Sequence, residues 1–127
     1  MNELKPGEIG RITKEIIDLL DLSIEPNTPI YLGESNIEHM LSKHPKDYEK
    51  YGIKLPEIIG NPDYIGFNHK DGSIEYVKEF LVHNEYVKAA VRISTNGKFF
   101  ARSLYVLNKN RVDNFIIKGT LKRLKKP

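Results

Sequence analysis

EYVKAAVRISTNGKFFARSLYVLN, residues 85 to 108, reads as two long strands joined by a tight turn. Asn96-Gly97 is a strong hairpin signal, because both central positions of a two-residue turn take positive φ and these two residues tolerate it cheaply. If Thr95 and Lys98 flank that turn, the opposed pairs run from Ser94/Phe99 and Ile93/Phe100 through Arg92/Ala101, Val91/Arg102 and Ala90/Ser103 to Lys88/Tyr105 and Val87/Val106. Side chains alternate along a strand, so this register sorts the hairpin into two faces. Val87, Ala89, Val91, Ile93, Phe100, Leu104 and Val106 make an apolar face expected to cover the core, with Arg102 the one discordant member. The other face carries Lys88, Arg92, Ser103 and Tyr105 around the small Ala90 and Ala101. Two cations, a hydroxyl and a phenol would suit an anion, although a solvated sheet face is the plainer reading of residue type alone.

Working outward, Tyr64 to Phe67 and Ser73 to Val82 read as strands joined by the turn Asn68-His69-Lys70-Asp71-Gly72. A two-residue loop at Asn84-Glu85 would put Ile74, Tyr76, Phe80 and Val82 on the core face and Glu75, Glu79 and His83 beside Lys88 and Arg92. A three-residue loop reverses this; the first buries more apolar surface and is the one expected. Before the strands, EIGRITKEIIDLLDL at residues 8 to 22 spaces Ile9, Ile12, Ile16, Leu19 and Leu20 as an amphipathic helix. Pro29 to Gly33 suits a brief strand, and Ser35-Asn36-Ile37-Glu38 fits a capping box opening a helix from Asn36 to about Lys43. Pro45 biases His44 away from helical geometry and so stops it. Ile37, Met40, Leu41 and His44 share one stripe of that helix, which aims His44 at the body of the protein and His39 elsewhere. Residues 45 to 62 predict a loop and a short helix starting at Pro56. Arg111 to Leu124 hints at a C-terminal helix, and the basic end LKRLKKP is expected to fray.

Composition narrows the classes. The chain has 127 residues and suits one domain with a core of its own. With Cys 0 there is no disulfide, thiolate metal site or cysteine nucleophile, and no His, Asp or Glu cluster stands at metal-ligand spacing. No apolar run approaches the roughly 20 residues of a membrane span, and MNELKPGEIG lacks a signal-peptide pattern, so a soluble protein is expected. Lys plus Arg number 20 against 17 Asp plus Glu. From Lys88 onward, however, Asp113 is the one acid among the cations 88, 92, 98, 102, 109, 111, 118, 122, 123, 125 and 126. A cationic half favours polyanions such as RNA or DNA, or an acidic partner.

IYLGESNIEHMLSKHP, LPEIIGNPDYIGF and the strands ending in RISTNGKFFARSLYVL together resemble, over about residues 8 to 108, the phage-associated branch of the barnase-EndoU-colicin-RelE (BECR) superfamily of ribonucleases, which implies a single such domain over residues 1 to 127. The resemblance implies an α+β fold, with N-terminal helices packed on one face of a four-stranded antiparallel sheet, here followed by a short C-terminal helix. It also implies an endoribonuclease without metal or other cofactor, in which the neighbouring 2′-hydroxyl attacks the phosphate and leaves a 2′,3′-cyclic phosphate. Transfer RNA is a candidate substrate. The matching positions are His39 and His44 on the helix, Lys88 and Arg92 on one strand, and Ser103 and Tyr105 on the last. Lys88 and Arg92 would hold the phosphate, with Lys98 a further substrate-binding cation and Ser103 and Tyr105 hydrogen-bonding its oxygens. A histidine would move the proton because its ordinary pKa lies near neutrality, with His44 preferred over His39 because the helical stripe aims it inward. Glu79 is an alternative base if the two-residue loop forms. Many such nucleases are toxins, so a cognate immunity protein or antitoxin and action on cytosolic RNA after delivery from a phage or another cell are expected. The rival expectation is a nucleic-acid- or partner-binding module of phage or mobile-element origin that keeps the fold without turnover.

Overall fold

The computed structural model describes residues 4–124. The strands are β1 (Gly7–Ile12), β2 (Thr28–Leu32), β3 (Tyr64–Asn68), β4 (Ser73–Phe80), β5 (Glu85–Ile93), β6 (Phe99–Leu107) and β7 (Leu121–Arg123). They join a 7-stranded sheet in the order β1-β2-β6-β5-β4-β3-β7. The α+β class holds, but the expected four-stranded antiparallel sheet does not: the central meander β3 to β6 is extended on both sides, and β2 pairs β6 in parallel.

The strand at β2 was expected, but the outermost strand on each side, β1 and β7, comes from a segment expected to be helical. Gly7–Ile12 pairs antiparallel with β2, and the helix α1 (Lys14–Leu20) begins only after Thr13, whose hydroxyl accepts from the Ile16 amide at 3.5 Å. Helical spacing of Ile9 and Ile12 was a coincidence of a bulged strand, since the register shifts between Glu8 and Gly10. Gly10 is needed there because a Cβ would stand 2.8 Å from Ile59 Cγ2. At the other end α5 (Lys109–Ile117) is shorter than expected: Gly119, at φ +78, turns the chain back into β7, which pairs β3. Leu121 and Leu124 are buried, so this part of the basic end is anchored rather than frayed; residues 125 to 127 lie outside the described residues.

Between β2 and β3 run α2 (Glu34–Lys43), α3 (Pro45–Tyr51), a 3₁₀ turn (Gly52–Lys54) and α4 (Leu55–Gly60). Pro45 does end α2, and it also starts α3 at the position where its missing N–H costs nothing, so the loop expected there is helical. The N-cap of α2 is Gly33 rather than Ser35, with Asn36 Oδ1 accepting from the Gly33 amide at 2.9 Å. Helices α1 to α4 cover one face of the sheet over a core that includes Ile16, Met40, Tyr51, Leu55, Ile58, Ile65, Ile74, Tyr76, Val87, Ala89, Val91 and Leu104. On the other face α5 buries Val112 against Val77, Tyr86 and Leu107, which covers only one end of that face. The remainder is the polar side of the hairpin. Among the described residues no helix is long and apolar enough to cross a membrane.

Candidate active site on the polar face of the sheet

The hairpin register is right in its lower half and shifted in its upper half. Val87↔Val106, Lys88↔Tyr105, Ala89↔Leu104 and Ala90↔Ser103 pair as expected, but Val91 pairs with Ala101, Arg92 with Phe100 and Ile93 with Phe99. The register breaks between Ala90 and Val91, so Arg102 is the extra residue of a β-bulge. That resolves the discordant arginine. A bulge releases one residue from strict alternation, and Arg102 lines a polar cleft instead of entering the core. The turn explains the shift. The Gly97 amide donates to Ser94 O at 3.0 Å and the Ser94 amide to Lys98 O at 2.8 Å, leaving three residues in the loop with only Gly97 at positive φ (85°). The strands therefore start one residue out of step with a two-residue turn, and the bulge restores the original pairing further down.

The neighbouring turn is also longer than expected. Phe80 pairs with Glu85, leaving Leu81 to Asn84 as the loop, with Leu81 and Val82 at 79% and 93% exposure. Lengthening a two-residue loop to four keeps the parity, so Ile74 and Tyr76 still face the core and Glu75 still shares a face with Lys88.

One end of this polar face is an open cleft of about 400 Å³. Its walls are Ser35, Asn36 and His39 of α2, Asp71 of the β3–β4 turn, Ser73 of β4, Ala90 and Arg92 of β5, and Arg102 and Ser103 of β6. Helix α2 reaches it because β6 pairs with β2 only at Phe99 and Phe100. Beyond those pairs α2 and α3 lie along the free edge of β6, where Asp47 Oδ2 accepts from the Val106 amide at 3.0 Å. Arg92 Nη1 is 3.7 Å from Asp71 Oδ2, a loose contact between half-exposed groups. Asp71 Oδ1 accepts from the Ser73 amide at 2.9 Å. Desolvation works to raise the Asp71 pKa, but the Ser73 hydrogen bonds and the charges of Arg92 and Lys88 outweigh it and hold the carboxyl below its usual range.

Toward α5, the same face is closed. Lys88 Nζ is 2.9 Å from Glu75 Oε2, each side chain only 13% exposed, and it lies 5.1 Å from the centre of the Tyr105 ring. Burial acts to lower the Lys88 pKa, yet hydrogen bonding to Tyr105 and Glu75 raises it overall. His44 stacks on the outside of Tyr105, with ring centroids 4.8 Å apart and planes 26° apart.

Of the residues singled out in the sequence, Arg92, Ser103 and His39 line the cleft, while Lys88, Tyr105 and His44 form the adjoining stack. His44 is exposed and does not point into the body of the protein, because it is the residue at which α2 ends, with φ −140° and ψ 65°, and helical phase no longer applies to it. Lys98 sits at the hairpin tip over the Tyr31 ring, 5.2 Å from its centre, and does not line the cleft. Glu79 pairs with Tyr86 near α5, away from the cleft walls. Sequence reasoning missed Arg102, Asp71, Ser73, Ser35 and Asn36. Arg102 carried a usable signal, a charge at an apolar position of a strand, which is how a bulge reads.

A cleft that gathers Arg92, Arg102 and His39 has the chemistry to receive an anion such as a phosphate. The family comparison agrees. Residues 7–114 match the family described as phage-Barnase-EndoU-ColicinE5/D-RelE like nuclease 3, and the chain belongs to that family of nucleases. Neither a curated protein nor a solved structure matches it significantly.

Proposed function

We propose that this nuclease is an endoribonuclease, and that the cleft between α2 and the bulged hairpin holds the scissile phosphate. The observation that carries the reading is the convergence of Arg92, Arg102 and His39 on one open cleft floored by small Ala90 and Ser103. Cleavage by the neighbouring 2′-hydroxyl needs cations for the charge that develops on the phosphorus and a group that protonates the departing 5′-oxygen. The two arginines supply the first, with fixed forks suited to phosphate oxygens, and His39 the second. Ser103 hydrogen-bonds a phosphate oxygen. Lys88 has a supporting part, because its charge is already matched by Glu75. His44, stacked on Tyr105, continues the surface past the cleft and offers its outer ring face to an adjacent base.

The test is incubation of the protein with total RNA in the presence of EDTA, with end-group analysis of the fragments. Fragments bearing 2′,3′-cyclic phosphate and 5′-hydroxyl ends are expected. Binding of RNA without any cleavage would leave a non-catalytic binding module as the better account.

A further inference from the structure

The cleft holds one acid, and the reading above gives it no task. We propose that Asp71 is the general base that takes the proton from the 2′-hydroxyl, working against His39 as the acid. This rests on the assignment of RNA cleavage to the cleft. Asp71 comes from the β3–β4 turn and His39 from α2, so the two enter from different elements with Arg92 and Arg102 among the side chains of the same cleft. Asp71 stands where the chain enters β4 and α2 packs along β6, so the two flank β5 and its Arg92, and an in-line displacement needs proton acceptor and proton donor on two sides of the phosphate.

The Asp71 carboxylate is also held for the task. Oδ1 is fixed by the amide of Ser73, itself 3% exposed, which leaves Oδ2 toward Arg92. The Ser73 hydrogen bonds, and after them the charges of Arg92 and Lys88, outweigh desolvation, keep the group ionised and hold down its basicity. A substrate phosphate competes for Arg92, and the 3.7 Å contact is loose enough to yield. As that guanidinium turns to the phosphate, its hold on Asp71 weakens and the carboxylate becomes a better base when the 2′-hydroxyl is beside it. The step balances. Asp71 gains the 2′-proton, the 2′-oxygen bonds to phosphorus, the bond from phosphorus to the 5′-oxygen breaks, and protonated His39 gives its proton to that oxygen. Proton exchange with solvent then restores both groups.

Asp71→Asn is the decisive variant, because the amide oxygen can still accept from Ser73 and keep the turn. Cleavage of a synthetic oligoribonucleotide should fall about 10²- to 10⁴-fold. Binding of the same oligonucleotide with a 2′-deoxy residue at the scissile position, read by fluorescence anisotropy, should be equal or tighter. The acidic limb of the pH profile of kcat/KM should vanish in Asp71→Asn. Asp71→Asn cleaving within tenfold of wild type, or losing binding in step with cleavage, overturns the assignment and leaves Asp71 a counter-ion or a turn residue. Wild-type protein that cleaves no RNA removes the parent reading and this one together, so the two failures are distinct.

Discussion

The two ends of the polar sheet face carry similar side chains and are built for different ends. Toward α5, Lys88 has a carboxylate at 2.9 Å and an aromatic ring over it, and the pair is nearly shut off from water. At the hairpin end, Arg92 has a carboxylate at 3.7 Å, Arg102 has no acid paired with it among the described residues, and the surface opens into a cleft. A cation whose charge is matched in the folded protein stabilises the fold, whereas one left partly unmatched is available to a ligand. Only the partners distinguish them, since strand alternation puts both on the same face.

Substitutions can break this comparison. Arg92→Ala should lower RNA cleavage by about 10²- to 10³-fold, the usual cost of removing one transition-state donor. Its urea unfolding midpoint should barely move. His39→Ala should lower cleavage by at least a similar factor, again with stability unchanged. Lys88→Ala should do the reverse, lowering unfolding free energy by about 3 kcal/mol because Glu75 is left charged and nearly buried. The double variant Lys88→Met with Glu75→Gln should recover most of that loss, and failure to recover would show that the pair is not what the lysine contributes.

Alkaline unfolding sharpens the same contrast. The folded Lys88 pKa lies above its ordinary 10.5, so its stabilisation is complete below that value and is lost as pH rises through the higher folded pKa. Wild-type protein should therefore lose stability above about pH 10.5 more steeply than the double variant, measured by urea unfolding across pH. The smallest effect is expected for His44→Ala: less than about 1 kcal/mol of stability from the lost stack on Tyr105, and a smaller loss of cleavage than His39→Ala.

Much of the central meander was legible because period-2 alternation and turn residues are local signals. The lower hairpin register, the faces of β4 and the polar character of the second face all follow from them. The edges of the sheet were not legible. Ile9 and Ile12 satisfy helical spacing as well as a bulged strand, and only pairing with β2 chooses between them. β7 is three residues long, and its strand character comes from β3 alone. In the cleft, Arg92, Ser103 and His39 were visible by residue type and resemblance. Asp71 was hidden in a turn, where an aspartate is expected for its own hydrogen bonding.

The sequence by itself determined the hairpin, the helix that ends at Pro45, the cationic C-terminal half and the family likeness, since each depends on residues near one another in the chain. Tertiary structure decided which charges are matched and which are open. Lys88 meets Glu75 through strand pairing, α2 comes to the cleft because β2 leaves β6 after two pairs, and Arg102 turns into it through a bulge compensating a turn eight residues before Tyr105. Such relations are set by long-range pairing and packing, which short-range pattern does not encode.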